Sequence, residues 1–311
     1  MRALFFGTPD IAVSSLEALA SIADVACVIC QPDRPAGRGM NLRAPAVKTA
    51  AVKLGLPIAQ PTKIRNAAFA DWVNEQRVDV ALVIAYGRIL PQAVLDSPRR
   101  GCMNLHASLL PKYRGAAPVN WAIARGETSS GVCLMQMDAS MDTGAILSSK
   151  TVPIGADDTA GYLAERLATV AAEIVLDDLR AAVDGELHAV PQDEAFATYA
   201  PKLSKEDGRI DWRRSASEVH AHVRGMTPWP GALTENGAKP LKVLSTRIHS
   251  CRAMCRPGEV IVADSSCVLV GCGDGVVELV ELQAPGKKAM LAGNMVVGRT
   301  IRIGDILGYC V

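Results

Sequence analysis

Apolar positions in the first half of the chain follow two alternating patterns. Short runs that are apolar on both faces recur at residues 2–6, 25–30, 78–84 and 101–105. Between them the apolar residues take helical spacing, as at Ile11, Ala12, Leu16, Leu19 and Ile22. That spacing predicts a helix over 11–22, with Pro9-Asp10 ahead of it. Pro45 and Gly55 bracket a second expected helix over 45–54, and a third is expected over 66–76. A short strand is expected at 57–59. Strands buried on both faces belong to parallel sheets covered by helices, so the fold class is α/β. Further strands are expected at 131–137 and 145–153, then a long helix over 158–183 with Gly185 behind it.

The pattern changes after residue 187. Residues 188–207 hold Pro191, Pro201 and mixed polar side chains without periodicity, and read as a linker. A short helix is expected at 216–223. Brief β-type runs follow at 242–248, 259–262, 267–272, 276–282 and 300–303. Turn residues such as Asn236-Gly237 and Pro285-Gly286 punctuate them, which suggests a small barrel. The expected organisation is a domain over 1–187, a linker over 188–207 and a β domain over 208–311.

The length of 311 residues suits two domains, and 49% hydrophobic content supplies both cores. Net charge is +1, which argues against a surface that is basic all over. The regional balance is uneven: residues 1–187 carry −1, residues 188–207 carry −2 and residues 208–311 carry +4. Within 32–53, five basic residues (Arg34, Arg38, Arg43, Lys48, Lys53) stand against Asp33 alone. A basic barrel and a basic loop together could follow a phosphate backbone.

The nine cysteines are odd in number and several sit in apolar runs, as Cys27 and Cys30 do. That usage fits buried thiols in a reducing compartment, and no paired Cys/His set follows at metal-binding spacing. No metal site is expected. The opening Met1-Arg2-Ala3-Leu4-Phe5-Phe6-Gly7 reads as a strand and no apolar run reaches membrane-spanning length. A cytoplasmic, monomeric protein is expected.

The sheet type invites a nucleotide, but Gly7-Thr8-Pro9 lacks the G-x-G-x-x-G fingerprint and no G-x4-G-K-[ST] occurs. The densest polar constellation is instead Asn104-Leu105-His106-Ala107-Ser108-Leu109-Leu110-Pro111. Side chains alternate along a strand, so Asn104 and His106 share a face at its carboxyl end, where parallel sheets bind ligands. Asp138 and Asp142 end a later apolar run, and spacing alone leaves open which of them meets His106. An amide, an imidazole and a carboxylate suit attack of an amine on a carbonyl. The amide donates to the oxyanion, and the imidazole, steadied by the carboxylate, moves the proton. No protein nucleophile stands out, so direct transfer is the economical route.

Asn104-Leu105-His106, Ser108-Leu109-Leu110-Pro111 and Asp142-Thr143-Gly144 together resemble the signature of the 10-formyltetrahydrofolate-dependent formyltransferases. Narrower motifs are similar to the branch that acts on methionyl initiator tRNA. They are residues 31–39, Tyr113-Arg114-Gly115-Ala116-Ala117-Pro118, Lys202-Leu203-Ser204-Lys205-Glu206, Ile210-Asp211-Trp212 and Pro228-Trp229-Pro230-Gly231. The resemblance spans nearly the whole chain. It implies a Rossmann-like formyltransferase domain followed by a small OB-like β-barrel that binds tRNA. It implies 10-formyltetrahydrofolate as co-substrate, initiator methionyl-tRNA as partner, and Asn104, His106 and Asp142 as the catalytic set. It also implies a folate-binding set of Ser108, Leu109, Leu110, Pro111, Ile84, Tyr86 and Gly87, and tRNA contacts at Arg38, Arg34 and Arg43. The chain departs from the family after Gly39, where Met40-Asn41-Leu42 stands in place of frequent lysines and lowers the loop's charge.

The same catalytic set would serve formyl transfer to a sugar or ribonucleotide amine, or hydrolysis of the formyl donor. A nicotinamide oxidoreductase fits the sheet but not the absent glycine fingerprint. A non-catalytic RNA-binding module leaves Asn104, His106 and Asp142 without a task.

Overall fold

The computed structural model describes residues 1–36, 41–251 and 255–309. The chain packs as two compact units. The first comprises Met1–Pro118, Ser129–Pro153 and Ala164–Pro201, and the second Val119–Thr128, Ile154–Leu163 and Lys202–Val311.

The first unit is built on a seven-stranded sheet. Its strands are β1 (Arg2–Gly7), β2 (Asp24–Ile29), β3 (Ile58–Ala59), β4 (Val80–Ile84), β5 (Cys102–His106), β6 (Ser129–Gln136) and β7 (Ile146–Pro153). They lie in the order β7-β6-β5-β4-β1-β2-β3. β1 to β5 are parallel, while β6 and β7 add an antiparallel edge. The chain winds outward through β2 and β3, then crosses back to β4 on the other side of β1, which creates a switch point between β1 and β4. Alternate residues of neighbouring strands, Leu4 and Phe6 with Ala81 and Val83, pack with Phe69 and Val73 from the helix Ala67–Glu75. That helix starts where the Asn66 side chain accepts from the Phe69 amide at 3.0 Å. Every residue of β4 and β5 is buried. A strand with both faces covered keeps its register, and that holds the residues at its carboxyl end.

At the switch point two side chains converge on one backbone carbonyl. Thr8 Oγ1 and Gln31 Nε2 each donate to the Tyr86 carbonyl at 3.1 Å, and the Gln31 amide reaches Thr8 Oγ1 at 3.4 Å. Gly7 is tight because a Cβ there would sit 2.7 Å from the Phe5 ring. Cys27 and Cys30 are buried, and burial pushes both thiols up to about 11, so they behave as small apolar groups.

The second unit holds a six-stranded antiparallel sheet. Its strands are β8 (Ala232–Asn236), β9 (Lys239–His249), β10 (Val260–Ala263), β11 (Val268–Gly271), β12 (Val276–Gln283) and β13 (Met290–Leu291). The order is β8-β9-β12-β11-β10, with β13 paired to β12. Isolated bridges from Leu307 to Asn236 and from Ile306 to Glu259 link the two edges of the sheet. The helix Ala216–Met226 starts with a capping box between Ser215 and Glu218, and it buries Val219, His220 and Val223.

Two expected elements differ. The long helix over 158–183 is two helices, Ala160–Asp177 and Leu179–Asp184, with Asp178 between them at φ −117°, off the ideal value but still in the right-handed region. Residues 300–303 form no strand. Ile301 is fully buried while Ile303 is 67% exposed, so the two isoleucines do not share a face as a strand requires. Among the described residues, no helix is long and apolar enough to cross a membrane.

His220 is buried, with Nδ1 2.9 Å from Thr246 Oγ1 and Nε2 3.2 Å from the Ala156 carbonyl. Burial holds the His220 and His222 rings below the usual imidazole range. The unfolded chain therefore binds more protons just below pH 6.5 than the folded one does. Stability is full above that pH and is lost as pH falls towards the folded values. Thermal unfolding between pH 7.5 and 5.5 should show a falling midpoint. The slope should flatten in a His220→Gln/His222→Gln variant; an unchanged slope there would remove the two histidines as its source.

Candidate active site

The parallel strand β5 carries Asn104 and His106 on one face, with Met103 and Leu105 on the other. Asn104 is 9% exposed and His106 is 6% exposed. The Asn104 side-chain amide has no hydrogen-bond partner among the described residues, so its donor group is free to meet a ligand.

His106 is held from behind. Its Nε2 lies 2.9 Å from the Tyr113 carbonyl oxygen. A carbonyl can only accept, so Nε2 carries the hydrogen of the neutral ring and Nδ1 is its basic nitrogen. That nitrogen faces Asp142 Oδ2 at 3.7 Å. Protonation at Nδ1 would create an imidazolium directly opposite a carboxylate.

The loop after β6 fixes Asp142. Its backbone is left-handed at φ 57°, which is strained for a side chain of this type. Its Oδ2 accepts from the Gly115 amide at 2.8 Å. Gly144 admits no side chain, because a Cβ there would sit 1.7 Å from the Gln136 carbonyl oxygen. Asp138 makes the turn instead: its carboxylate accepts from the Ser140 amide at 3.0 Å and from Thr143 Oγ1 at 2.8 Å. The two aspartates therefore have separate tasks, and Asp142 is the one that faces His106.

A cavity of about 770 Å³ opens beside this loop. Gly87, Arg88 and Ile89 form part of its wall, with Ile64, Ala116 and Met141. Ala116 follows Gly115 and Met141 precedes Asp142, while Asn104, His106 and Asp142 are not themselves lining residues. Of the expected folate residues, Gly87 lines this cavity. The others are not among the residues that line it. Ile84 and Tyr86 are buried at the end of β4, with Tyr86 edge-on to Phe6 at 5.2 Å. Ser108 Oγ donates to the Lys112 carbonyl at 2.6 Å. Leu110 packs with Cys133 and Met135, and Leu109 and Pro111 are half-buried.

The expected basic loop is a hairpin of Arg34–Ala36 and Asn41–Arg43, in which Arg34 and Arg43 stand opposite each other. Both line a second cavity of about 790 Å³ together with Thr8, Gln31 and Lys53. Lys48 is 2.7 Å from Asp33, so that pair cancels locally. Arg38 lies outside the described residues.

Sequence reasoning missed three residues behind the site. Arg114 is 1% exposed, with its guanidinium bound to Glu194 at 2.8 Å and to Gln192 Oε1 at 2.8 Å. Hydrogen bonding to Glu194 raises the Arg114 guanidinium further above its usual range and holds the Glu194 carboxyl below its own. Arg114 stood within a quoted motif. Gln192 and Glu194 stood in the aperiodic stretch read as a linker, where nothing in the pattern singles them out.

The strand β5 thus presents an unpartnered amide beside the imidazole of His106, which faces the Asp142 carboxylate. Residues 1–179 match the family described as Formyl transferase, and residues 202–300 match Formyl transferase, C-terminal domain. The chain belongs to the formyltransferase family. It is 58% identical over 310 residues to methionyl-tRNA formyltransferase of Sorangium cellulosum, covering 99% of this chain and 100% of that one. It is 44% identical to methionyl-tRNA formyltransferase of Neisseria meningitidis serogroup C, covering 99% and 100%. Among solved structures, the N-formyltransferase from Helicobacter canadensis in complex with folinic acid and dTDP-3-aminofucose shares the fold. It has a TM-score of 0.67 at 18% identity, covering 89% of this chain and 98% of that one.

The Tyr86 hydroxyl is buried and has no hydrogen-bond partner among the described residues. Burial pushes its phenol up to about 12. An unmatched buried hydroxyl costs ~1–3 kcal/mol. Tyr86→Phe should therefore stabilise the free protein by about 1 kcal/mol in denaturant unfolding. A loss of stability would mean that the hydroxyl is matched by water.

Proposed function

We propose that this protein is a methionyl-tRNA formyltransferase. It passes the formyl group of 10-formyltetrahydrofolate to the α-amine of methionine esterified to initiator tRNA, in the cytoplasm, at the start of protein synthesis. The observation that carries the reaction is the buried set of Asn104, His106 and Asp142, in which the proton-free Nδ1 of His106 faces a carboxylate. The choice of acceptor rests on likeness to methionyl-tRNA formyltransferases along both units.

The folate enters the cavity bounded by Gly87, Ala116 and Met141. The neutral amine attacks the formyl carbon. A new C–N bond forms and the carbonyl oxygen becomes an oxyanion, which takes a hydrogen bond from the Asn104 amide. His106 Nδ1 removes the proton from the attacking nitrogen, and Asp142 stabilises the resulting imidazolium. The bond from the formyl carbon to N10 then breaks and N10 takes that proton from His106. Tetrahydrofolate and formyl-methionyl-tRNA leave, and no atom of the protein is consumed. Residues 1–187 act as the catalytic domain. Residues 208–311, with Arg34, Arg38 and Arg43 of the basic loop, hold the tRNA. A monomer suffices, because all three catalytic residues come from one chain.

His106→Ala and Asp142→Asn should each slow single-turnover formylation by at least ~100-fold, the scale of acid–base catalysis. Near-normal rates in both would sink the assignment. Free methionine in place of the charged tRNA should yield no formylated product. Rapid release of free tetrahydrofolate without formylated product would favour a hydrolase instead.

Binding of tRNA through the basic barrel and loop predicts a steep fall in affinity with salt, because each phosphate contact releases counterions. Filter binding from about 50 to 200 mM salt tests this. A flat titration would exclude the barrel as the tRNA platform.

A further inference from the structure

The stretch 192–200, part of the first unit, runs behind the loops that carry Asp142 and Tyr113. Gln192 uses one side chain in two directions. Its Nε2 donates to the carbonyls of Asp142 at 2.9 Å and Gly144 at 2.8 Å. Its Oε1 accepts from Arg114 Nε at 3.0 Å and Nη2 at 2.8 Å. Glu194 then closes the far side of the guanidinium with two bonds of 2.8 Å. Farther along, Thr198 Oγ1 accepts from the Tyr113 amide at 2.9 Å, and the Thr198 carbonyl accepts from the Arg114 amide at 2.9 Å. Tyr199–Ala200 pairs in parallel with Arg114–Gly115.

These bonds converge on the two residues beside the reacting proton. Asp142 is left-handed at φ 57°, and Tyr113, whose carbonyl anchors His106, is left-handed at φ 62°. Neither conformation is favoured by the residue alone, so each needs outside restraint. Gln192 restrains the first and Thr198 the second. The buried charge of Arg114 gives Gln192 one orientation, because the carboxamide oxygen must face the guanidinium and the nitrogen must then face the loop.

We propose that residues 192–198 are a positioning strap for the reaction, in which Gln192, oriented by the Arg114–Glu194 pair, sets the Asp142 carboxylate opposite His106. This rests on the reading of Asp142 and His106 as catalytic. Gln192 touches no reacting atom and acts through Asp142.

The discriminating variant is Gln192→Glu. A carboxylate of the same shape still accepts from Arg114, but it cannot donate to the carbonyls of Asp142 and Gly144. We expect kcat to fall about 10-fold or more while KM for both substrates moves less than about threefold. The acidic limb of the kcat–pH profile should move to lower pH, because a displaced carboxylate stabilises the imidazolium less. On an Asp142→Asn background, where the group being positioned is gone, Gln192→Glu should cost little more. If Gln192→Glu folds poorly, Glu194→Gln keeps a hydrogen-bonding partner for Arg114 but removes its counter-charge, and should show the same kcat loss and pH shift in milder form.

A wild-type kcat and pH profile in Gln192→Glu would overturn the strap. So would losses that multiply fully with Asp142→Asn, since these would mark a general structural effect. Near-normal rates in Asp142→Asn and His106→Ala alone would instead overturn the catalytic reading beneath it, which separates the two failures.

Discussion

The Tyr113 carbonyl can only accept a hydrogen bond, and it stands 2.9 Å behind His106. The hydrogen of the neutral ring is thereby committed to the rear nitrogen, and the lone pair faces Asp142. No carboxylate is needed to select this tautomer; the backbone selects it. The carboxylate is left to offset the charge that appears when the ring accepts a proton. This differs from arrangements in which an aspartate both orients the ring and stabilises its cation. The separation of 3.7 Å between Nδ1 and Oδ2 suits that division, with room for the ring to exchange a proton with a substrate.

The rest of the first unit serves to keep that carbonyl and that carboxylate still. The fully buried β4 and β5 give His106 and Asn104 a fixed origin. The loops that complete the site are less regular, and two of their residues sit in left-handed backbone geometry without being glycine. Such geometry persists where surrounding bonds over-determine it. Here those bonds come from Gly115 in one loop and from Gln192 and Thr198 on the stretch 192–198. At the switch point between β1 and β4, where this sheet type commonly takes a nucleotide, Thr8 and Gln31 are tied to the Tyr86 carbonyl. The pair of Asn104 and His106 stands instead on β5.

Legibility in the sequence follows how each feature is encoded. The buried strands are written as apolar runs, and the pairing of Asn104 with His106 is written as period two. Both are local, and both stand in the structure as read. The choice between Asp138 and Asp142 is not local: it depends on the fold of the 137–145 loop, and family resemblance rather than spacing pointed to Asp142. The break at Asp178 and the turn at 300–303 were missed because Ile301 and Ile303 mimic a strand and the helix breaker is a single ordinary residue. Gln192 was invisible for a further reason. Its structural role is carried by side-chain bonds to backbone, which impose no periodicity, and its neighbours are exposed. Arg114 carried a hint, since a basic residue between Tyr113 and Gly115 in a site loop needs a counter-charge if it is buried.

The stretch 188–201 looks expendable in the sequence: it is aperiodic, and most of it is exposed. Its bonds to Asp142, Tyr113 and Arg114 give it a second identity. It belongs to the first unit and backs the loops that hold Asp142 and the carbonyl behind His106. A pull along the chain at this point would therefore be felt at Asp142 before it strained any strand. Insertions, tags or cleavage between 188 and 200 would reach the chemistry without touching a residue that meets substrate. A stretch that reads as a tether in the sequence is thus built into the first unit.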